Sequence, residues 1–181
     1  KLPSTCLNDK SMLEILTNLK KPVILAAGGS KIEEIRFAFN MLKKKLSSIV
    51  IMAGFQNFPT RIQDSKLNQI TLIRNFFNTK VGYADHVNAE KKLHSFSIPL
   101  MAYTLGADVI EKHITFNREK KGTDYYSSLN PKEFKSFVNF MQSSAKAFSK
   151  NEWSLSKAEI QYRSFNKKFA VSNFNLGKGI E

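Results

Sequence analysis

The sequence contains a single cysteine, Cys6, which excludes an internal disulfide framework and any zinc site built from several thiolates. It has no apolar run of the roughly 20 residues that a membrane-spanning helix needs. Neither a Gly-x-Gly-x-x-Gly fingerprint nor a Walker sequence is present, so a nucleotide-binding open sheet has no support. We therefore expect a cytoplasmic protein of a reducing compartment, without a membrane partner.

Arginine is also scarce, since only five of the 28 basic residues are Arg, and the net charge is +13. A basic domain is a candidate for nucleic-acid binding when its cations cluster on one face. Here the lysines are scattered, and their densest runs (43–45, 91–92 and 120–121) fall at a predicted helix end or in loops. Lysine near a helix C-terminus suits the helix dipole without any partner. We expect no nucleic-acid partner, and a basic nucleic-acid module is kept only as a third hypothesis.

The chain nevertheless has the composition of one folded domain, with 181 residues of which 42% are hydrophobic. Strand-like apolar runs alternate with segments of helical periodicity. Strands are predicted at 22–27, 50–53, 80–86 and 108–114, and helices at 32–46, 67–77, 97–105 and 131–148. Ser30 and Glu33 are expected to form a capping box, and 151–168 is interpreted as a polar linker. The alternation predicts an α/β fold of parallel βα units, either a small open sheet or part of a (β/α)₈ barrel.

Two of the three histidines, His86 and His113, end neighbouring predicted strands. Ligands and catalytic groups of parallel α/β folds lie at the carboxyl ends of the strands. Two neutral imidazoles there can hold one divalent cation, with water or substrate oxygens completing its shell. The alternative, that each ring merely makes a hydrogen bond, stays open. Strand alternation places Glu111 on the face of His113, whereas His94 is predicted to be a loop residue without a role.

Other candidates are weak when taken alone. The turn Gly28-Gly29-Ser30 offers free amides at a helix N-terminus, but it is equally an ordinary βα turn. Asp124 places a carboxylate in the loop after the fourth strand, where Asp is commonly a turn residue. Cys6 has no neighbouring His in the sequence that would mark it as a nucleophile.

Several segments, taken in order along the chain, carry a resemblance to a known family. They are 1–4, 21–29 with 33–35, 58–60, Val81-Gly82-Tyr83-Ala84-Asp85-His86, Leu105 to His113 with its Glu111-Lys112-His113 ending, and Gly122-Thr123-Asp124 with Ser128-Leu129. Together they resemble the sialic acid (N-acetylneuraminate) synthase family, including its spore-coat polysaccharide synthase-like relatives. The two histidine motifs are the most specific part of the resemblance.

The resemblance implies a (β/α)₈ TIM barrel of which this chain holds strands four to eight. On that template, 1–150 is the C-terminal part of the synthase barrel, and 151–181 is a linker with the start of an antifreeze-like (SAF) domain. The implied activity is that of a transferase: phosphoenolpyruvate condenses with a 2-acetamido sugar resembling N-acetylmannosamine, giving a nonulosonic acid and phosphate for surface polysaccharide biosynthesis. The full-length protein is expected to be a homodimer, and this part alone is not expected to be active.

The resemblance also implies roles for individual residues. His86 and His113 match the ligands of a divalent metal, Mn²⁺ or Mg²⁺, and Lys1 and Asp124 are the expected catalytic residues. The expected substrate-binding residues are Lys1, Ser4, Gln56, Phe58, Asp124 and Ser128.

Some positions depart from the family pattern. Cys6 stands where the family has a sugar-binding Glu, Ala26 and Ala84 stand where it has Ser, and Met52 stands where His is common. Each lost polar group is expected to weaken binding by about 1–3 kcal/mol if its site is buried. These departures motivate an alternative function, a catalytically inactive or divergent synthase paralogue that acts as a sugar-binding or assembly subunit.

Overall fold

The computed structural model describes residues 1–57, 59–148, 153–169, 171, 173 and 177–178. The chain divides into two units, Lys1–Lys146 and Ala147–Glu181. In chain order the helices and strands are α1 (Lys10–Leu19), β1 (Val23–Ala26), α2 (Ile32–Lys43), β2 (Ile49–Ala53), α3 (Asn68–Phe77), β3 (Lys80–Asp85), α4 (Lys92–Thr104), β4 (Val109–Lys112), α5 (Pro131–Ala145) and α6 (Lys157–Asn166). Helix α6 belongs to the second unit, and the other elements belong to the first.

The first unit is built on a four-stranded sheet in the order β1-β2-β3-β4, in which every neighbouring pair is parallel. Leu2 adds an isolated parallel bridge to Leu25 of β1. Because all strands run in one direction, their carboxyl ends meet at one edge of the sheet. This arrangement confirms the predicted α/β fold with a parallel sheet.

One face of the sheet packs against the helices. Leu25, Ile51 and Val81 are register partners across β1, β2 and β3, and each is fully buried. They pack in one apolar cluster with Leu42 of α2 and Ile70 of α3. Burying a Leu or Ile side chain contributes about 1.5–3 kcal/mol to the free energy of folding. The short apolar runs of these strands are therefore stabilised by their burial under the helices.

The four predicted strands are confirmed to within two residues at each end. Strands β3 and β4 end at Asp85 and Lys112, so His86 and His113 each lie one residue beyond the paired part of their strand. The backbone register therefore places the two histidines side by side.

The helices differ more from prediction. Helix α4 begins at Lys92 and not at 97, so Pro99 lies inside the helix and not in its first turn. The predicted Ser30–Glu33 capping box is wrong by one residue: the backbone N–H of Lys31 donates to the Glu34 carboxylate over 2.7 Å.

Two helices were not predicted. The carboxylate of Asp9 caps α1 by accepting a hydrogen bond from the N–H of Met12 over 2.9 Å. Helix α6 lies inside 151–168, the segment interpreted as a polar linker, and the Ser156 hydroxyl caps it by accepting from the Glu159 N–H. None of the helices that the structure describes is long and apolar enough to cross a membrane.

Candidate active site

A cleft of about 160 Å³ opens at the carboxyl edge of the sheet. Residues from or just after all four strands contribute to it, together with the first residues of the chain. The lining residues are Lys1, Ser4, Ala26, Gly28, Met52, Gly54, Gln56, Ala84, His86, Glu111 and His113. The cleft thus occupies the position where parallel α/β folds bind their ligands.

The imidazoles of His86 and His113 lie next to each other in this cleft. Their ring centroids are 5.0 Å apart, with the ring planes inclined by 57°. The backbone of His86 is fixed from two sides, because its carbonyl accepts hydrogen bonds from the N–H of Thr60 and the hydroxyl of Ser127. The carbonyl of His113 accepts from the N–H of Leu129 over 3.0 Å.

The hydrogen bonds of His86 determine which of its nitrogens is available. Its Nδ1 lies 3.2 Å from the carbonyl oxygen of Ala84. Since a carbonyl only accepts, Nδ1 carries the proton, and Nε2 keeps its lone pair. Burial lowers the pKa of His86 to about 4, with the neighbouring His113 as the second cause. The ring is therefore neutral at pH 7.

His113 has a buried nitrogen without a partner. No hydrogen bond to its Nε2 is found within the described part of the chain. Its Nδ1 lies 3.7 Å from Oδ2 of Asp124, which is longer than a hydrogen bond. A buried imidazole nitrogen without a partner in the described residues, next to a second imidazole, is a donor set that suits a divalent transition-metal ion.

A cation at this place would need ligands from elsewhere. Across the described ranges, no group of three or more His, Cys, Asp or Glu side chains is arranged to hold a metal ion. The two imidazoles would therefore be supplemented by water or by substrate oxygens. The residues present fit a metal site that is left open for substrate.

The cleft also contains an ion pair between Lys1 and Glu111, whose Nζ and Oε1 atoms are in contact. Both side chains remain about one-third exposed. Strand alternation placed Glu111 on the same face as His113, and both do line the cleft. The partnership with Lys1 could not be inferred, because the two residues are 110 positions apart.

Asp124 approaches His113 from the loop after β4. Its backbone adopts the left-handed conformation, with φ of 59°. The Ser128 hydroxyl donates to the Asp124 carbonyl over 2.9 Å, which fixes the turn. Ser128 itself is 2% exposed, so its hydroxyl supports the loop that carries Asp124.

A second ion pair, between Asp85 and Lys112, lies on the other face of the sheet, and both side chains are buried. Burial raises the pKa of the Asp85 carboxyl, and the adjacent Lys112 ammonium opposes that shift. Sequence reasoning missed this pair, although Asp85 and Lys112 immediately precede the two histidines.

The structure brings most of the predicted site residues together. Five of them line the cleft: Lys1, Ser4, Gln56, His86 and His113. Asp124 lies beside it, whereas Phe58 falls outside the described residues. The prediction that His94 is a loop residue is wrong, because it lies in the first turn of α4; it lines a different depression, with Arg61 and Lys91. The binding and catalytic roles of these residues stay predictions.

Three departures from the family pattern also lie in the cleft. Ala26, Met52 and Ala84 line it, so these three positions contribute apolar side chains to the cleft. Cys6 is half-buried, and its sulfur lies 3.8 Å from the Thr5 hydroxyl.

Comparison with known families gives one matching family model, described as the NeuB family, which covers residues 1–152. An uncharacterised protein of Methanocaldococcus jannaschii, MJ1065, is 36% identical over 140 residues, covering 77% of this chain and 40% of that protein. The N,N'-diacetyllegionaminic acid synthase of Campylobacter jejuni is 30% identical over 182 residues, covering 99% of this chain and 53% of that enzyme. The chain thus spans about half the length of the curated relatives it matches.

A solved structure shows the same fold. The N-acetylneuraminic acid synthetase of Leptospira borgpetersenii, crystallised with citrate, superposes with a TM-score of 0.78 at 27% sequence identity. The superposition covers 92% of this chain and 57% of that chain.

Proposed function

The chain belongs to the NeuB family, and from this premise we propose that the full-length protein condenses phosphoenolpyruvate with a 2-acetamido sugar. The sugar would resemble N-acetylmannosamine, and the products would be a nonulosonic acid and phosphate for surface polysaccharide biosynthesis. The main support is a single observation: the His86–His113 pair and the Lys1–Glu111 ion pair share one cleft at the carboxyl edge of the sheet.

The reaction forms one carbon–carbon bond and releases phosphate. C3 of phosphoenolpyruvate bonds to the aldehyde carbon of the open-chain sugar, whose oxygen takes a proton. Water replaces the phosphate group, which leaves as inorganic phosphate. The protein must hold two polar substrates in contact and keep their reacting carbons aligned, and such positioning supplies a large part of the rate enhancement.

Lys1 and Ser4 are proposed to bind phosphoenolpyruvate. Both line the cleft, one with an ammonium group and the other with a hydroxyl. Lys1 is paired with Glu111. Because Glu111 holds the Lys1 ammonium group in the cleft, Lys1 is already close to its proposed working position. An incoming phosphate or carboxylate then competes with Glu111 for that ammonium group.

His86 and His113 are proposed to hold Mn²⁺ or Mg²⁺. The proton on Nδ1 of His86 faces the Ala84 carbonyl, so its other nitrogen is directed away from that contact. Nε2 of His113 has no partner within the described residues. When bound, the cation would polarise the aldehyde oxygen of the sugar.

Asp124 and Gln56 are proposed to contact the sugar, with Phe58 as a further candidate. The carboxylate of Asp124 lies next to His113, where it can accept hydrogen bonds from sugar hydroxyls. Gln56 offers both a donor and an acceptor in the cleft. Ser128 is proposed to contribute by holding the Asp124 turn.

We also propose that the chain is the C-terminal part of a (β/α)₈ barrel, with a linker and the start of an antifreeze-like domain from 151 onward. The bridge of Leu2 to β1 supports a further strand at that edge of the sheet. The full-length protein is proposed to act in the cytoplasm as a homodimer.

The proposed function is tested by phosphate release from the full-length protein. Phosphate should appear only when phosphoenolpyruvate, a six-carbon 2-acetamido sugar and Mn²⁺ or Mg²⁺ are all present. Asp124→Asn should lower kcat/KM for the sugar without changing metal binding. Absence of phosphate release across a broad panel of 2-acetamido sugars contradicts the proposal.

A further inference from the structure

The ion pair between Asp85 and Lys112 joins the carboxyl ends of β3 and β4. The side chain of Lys112 is 1% exposed and that of Asp85 is 0% exposed. The Lys112 ammonium donates to Oδ2 of Asp85, while Oδ1 of the same carboxylate lies 3.4 Å from the N–H of Val87. Both charges are therefore removed from water and paired within the protein.

The position of the pair in the sheet relates it to the histidines. Asp85 and Lys112 are the last register partners of the β3–β4 ladder, and His86 and His113 follow immediately. Successive side chains of a strand point to opposite faces. The histidines line the cleft, so the ion pair lies on the opposite face of the sheet from the cleft.

Other contacts at these strand ends hold the backbone carbonyl of each histidine. Thr60 and Ser127 bind the carbonyl of His86, and Leu129 binds the carbonyl of His113. Ser127 lies in the helical turn Tyr125–Ser127, two residues before Leu129, so one segment contacts the carbonyls of both histidines. The Asp85–Lys112 contact is a direct side-chain link between β3 and β4, immediately before the two histidines.

Stability alone is a weak explanation for such a pair. Desolvation of two charges offsets most of their attraction, and apolar replacements of similar volume are often neutral or stabilising. What an ion pair adds over apolar packing is a defined distance and orientation between two backbone positions.

We propose that Asp85 and Lys112 are positioning residues, which fix the spacing of His86 and His113 and thereby the affinity of the cleft for a divalent cation. The inference rests on the proposed function only for the presence of the metal. It needs neither phosphoenolpyruvate nor a sugar, so the two can fail separately.

The test is the double variant Asp85→Asn/Lys112→Met in the full-length protein, which removes both charges and approximately conserves volume. Its Kd for Mn²⁺, measured by electron paramagnetic resonance, should rise about 10- to 100-fold, as for other groups that orient metal ligands. Its melting temperature should stay within about 5 °C of the wild type. In the metal-free protein, the imidazole ¹⁵N signals of His86 and His113 should shift or broaden.

Arg74→Met provides a matched control at the opposite end of the same two strands. Arg74 pairs with Asp108, whose carboxylate also accepts from the N–H of Val81 at the start of β3. Its removal should lower the melting temperature by a few degrees and change the Mn²⁺ Kd by less than about twofold, because the site is remote. The imidazole signals should not move.

A second variant, Lys112→Arg, keeps a cation beside Asp85. Its melting temperature should fall because the larger guanidinium overpacks a buried position, while its Mn²⁺ Kd should stay within about threefold of the wild type because the charge pair is retained. Loss of Mn²⁺ affinity in this conservative variant would contradict the proposal.

Wild-type Mn²⁺ affinity and unchanged imidazole signals in the double variant overturn the positioning role. A double variant that does not fold also overturns it, since the pair would then support the sheet in general. If the wild-type protein binds no Mn²⁺, the metal part of the proposed function fails, and the imidazole signals decide the positioning role alone.

Discussion

The hydroxyl of Ser127 donates a hydrogen bond to the backbone carbonyl of His86 over 2.8 Å. Ser127 is fully buried and lies in the short helical turn Tyr125–Ser127, directly after Asp124. This bond joins the loop that carries the proposed sugar-binding carboxylate to the strand end that carries one of the histidines. A second bond, from the N–H of Ala89 to the carbonyl of Tyr126, reinforces the junction.

Ser127→Ala should reduce the free energy of unfolding by about 1–2 kcal/mol, because a buried hydrogen bond is lost. Urea unfolding measures the change. Ser136→Ala is the matched control, since the Ser136 hydroxyl makes a similar bond to the Lys132 carbonyl on an exposed helix surface. The control should change stability by less than about 0.5 kcal/mol. Equal changes in unfolding free energy for the two substitutions would show that the buried hydrogen bond of Ser127 adds no more stability than an exposed one.

His86→Ala and His113→Ala should each weaken Mn²⁺ binding by about 100-fold or more, since a single imidazole then remains. The double variant should be little worse than either single variant, because residues that act as a unit are not additive. His94→Ala is the control and should bind Mn²⁺ like the wild type. Isothermal titration of the metal-free proteins measures all four. A loss of binding in His94→Ala together with retention in His113→Ala contradicts the assignment of the pair.

Gly54→Ala should destabilise the protein by about 2–4 kcal/mol. Gly54 has φ of 118°, in a region that favours glycine. An added Cβ would also lie 2.3 Å from the backbone oxygen of Ala84, at the floor of the cleft. Gly122→Ala is the control, because nothing lies within 4 Å of a Cβ there. Thermal unfolding compares the two variants, and similar melting temperatures would contradict the close approach of β2 and β3.

Arg118→Met should reduce stability at neutral pH by about 1 kcal/mol, the partly exposed pair being screened by solvent. Arg118 forms two hydrogen bonds with the Glu133 carboxylate, which caps α5. The hydrogen bond from Arg118 holds the pKa of Glu133 below its ordinary value of 4.5.

The pH dependence of that loss has a defined sign. A carboxylate with a lowered pKa in the folded state adds stability above its unfolded pKa, and this stability is lost as the pH falls through the folded value. The difference between wild type and Arg118→Met should therefore shrink as the pH falls below 4.5. Unfolding free energies measured between neutral and acidic pH test this, and a difference that grows on acidification contradicts it.

The strands and the histidine pair could be predicted because their signals are local. Short apolar runs define β1 to β4, and the parallel register then places His86 beside His113 without further information. The alternation of β4 also assigned Glu111 to the cleft face. These inferences need only the strand period and the direction of the chain.

The missed features have two different causes. Helices α1 and α6 carry readable start signals, Asp9 and the Ser156–Glu159 box, so both can be recognised from the sequence. The sequence predicts that α4 begins at 97, because Pro is common in the first turn of a helix, whereas in the structure α4 begins at Lys92 and Pro99 lies inside it. By contrast, the Lys1–Glu111 and Asp85–Lys112 pairs join residues distant in sequence, and no local pattern encodes them.

The most direct test of the proposed activity follows the new carbon–carbon bond. The full-length protein is incubated with phosphoenolpyruvate labelled with ¹³C at C3, a six-carbon 2-acetamido aldose and Mn²⁺, and the products are examined by NMR and mass spectrometry. The proposed function predicts a 2-keto acid with nine backbone carbons, in which the labelled carbon is bonded to the former aldehyde carbon, formed in equal amount to inorganic phosphate. Phosphate release that yields only labelled pyruvate, or no consumption of phosphoenolpyruvate with any 2-acetamido sugar, contradicts it.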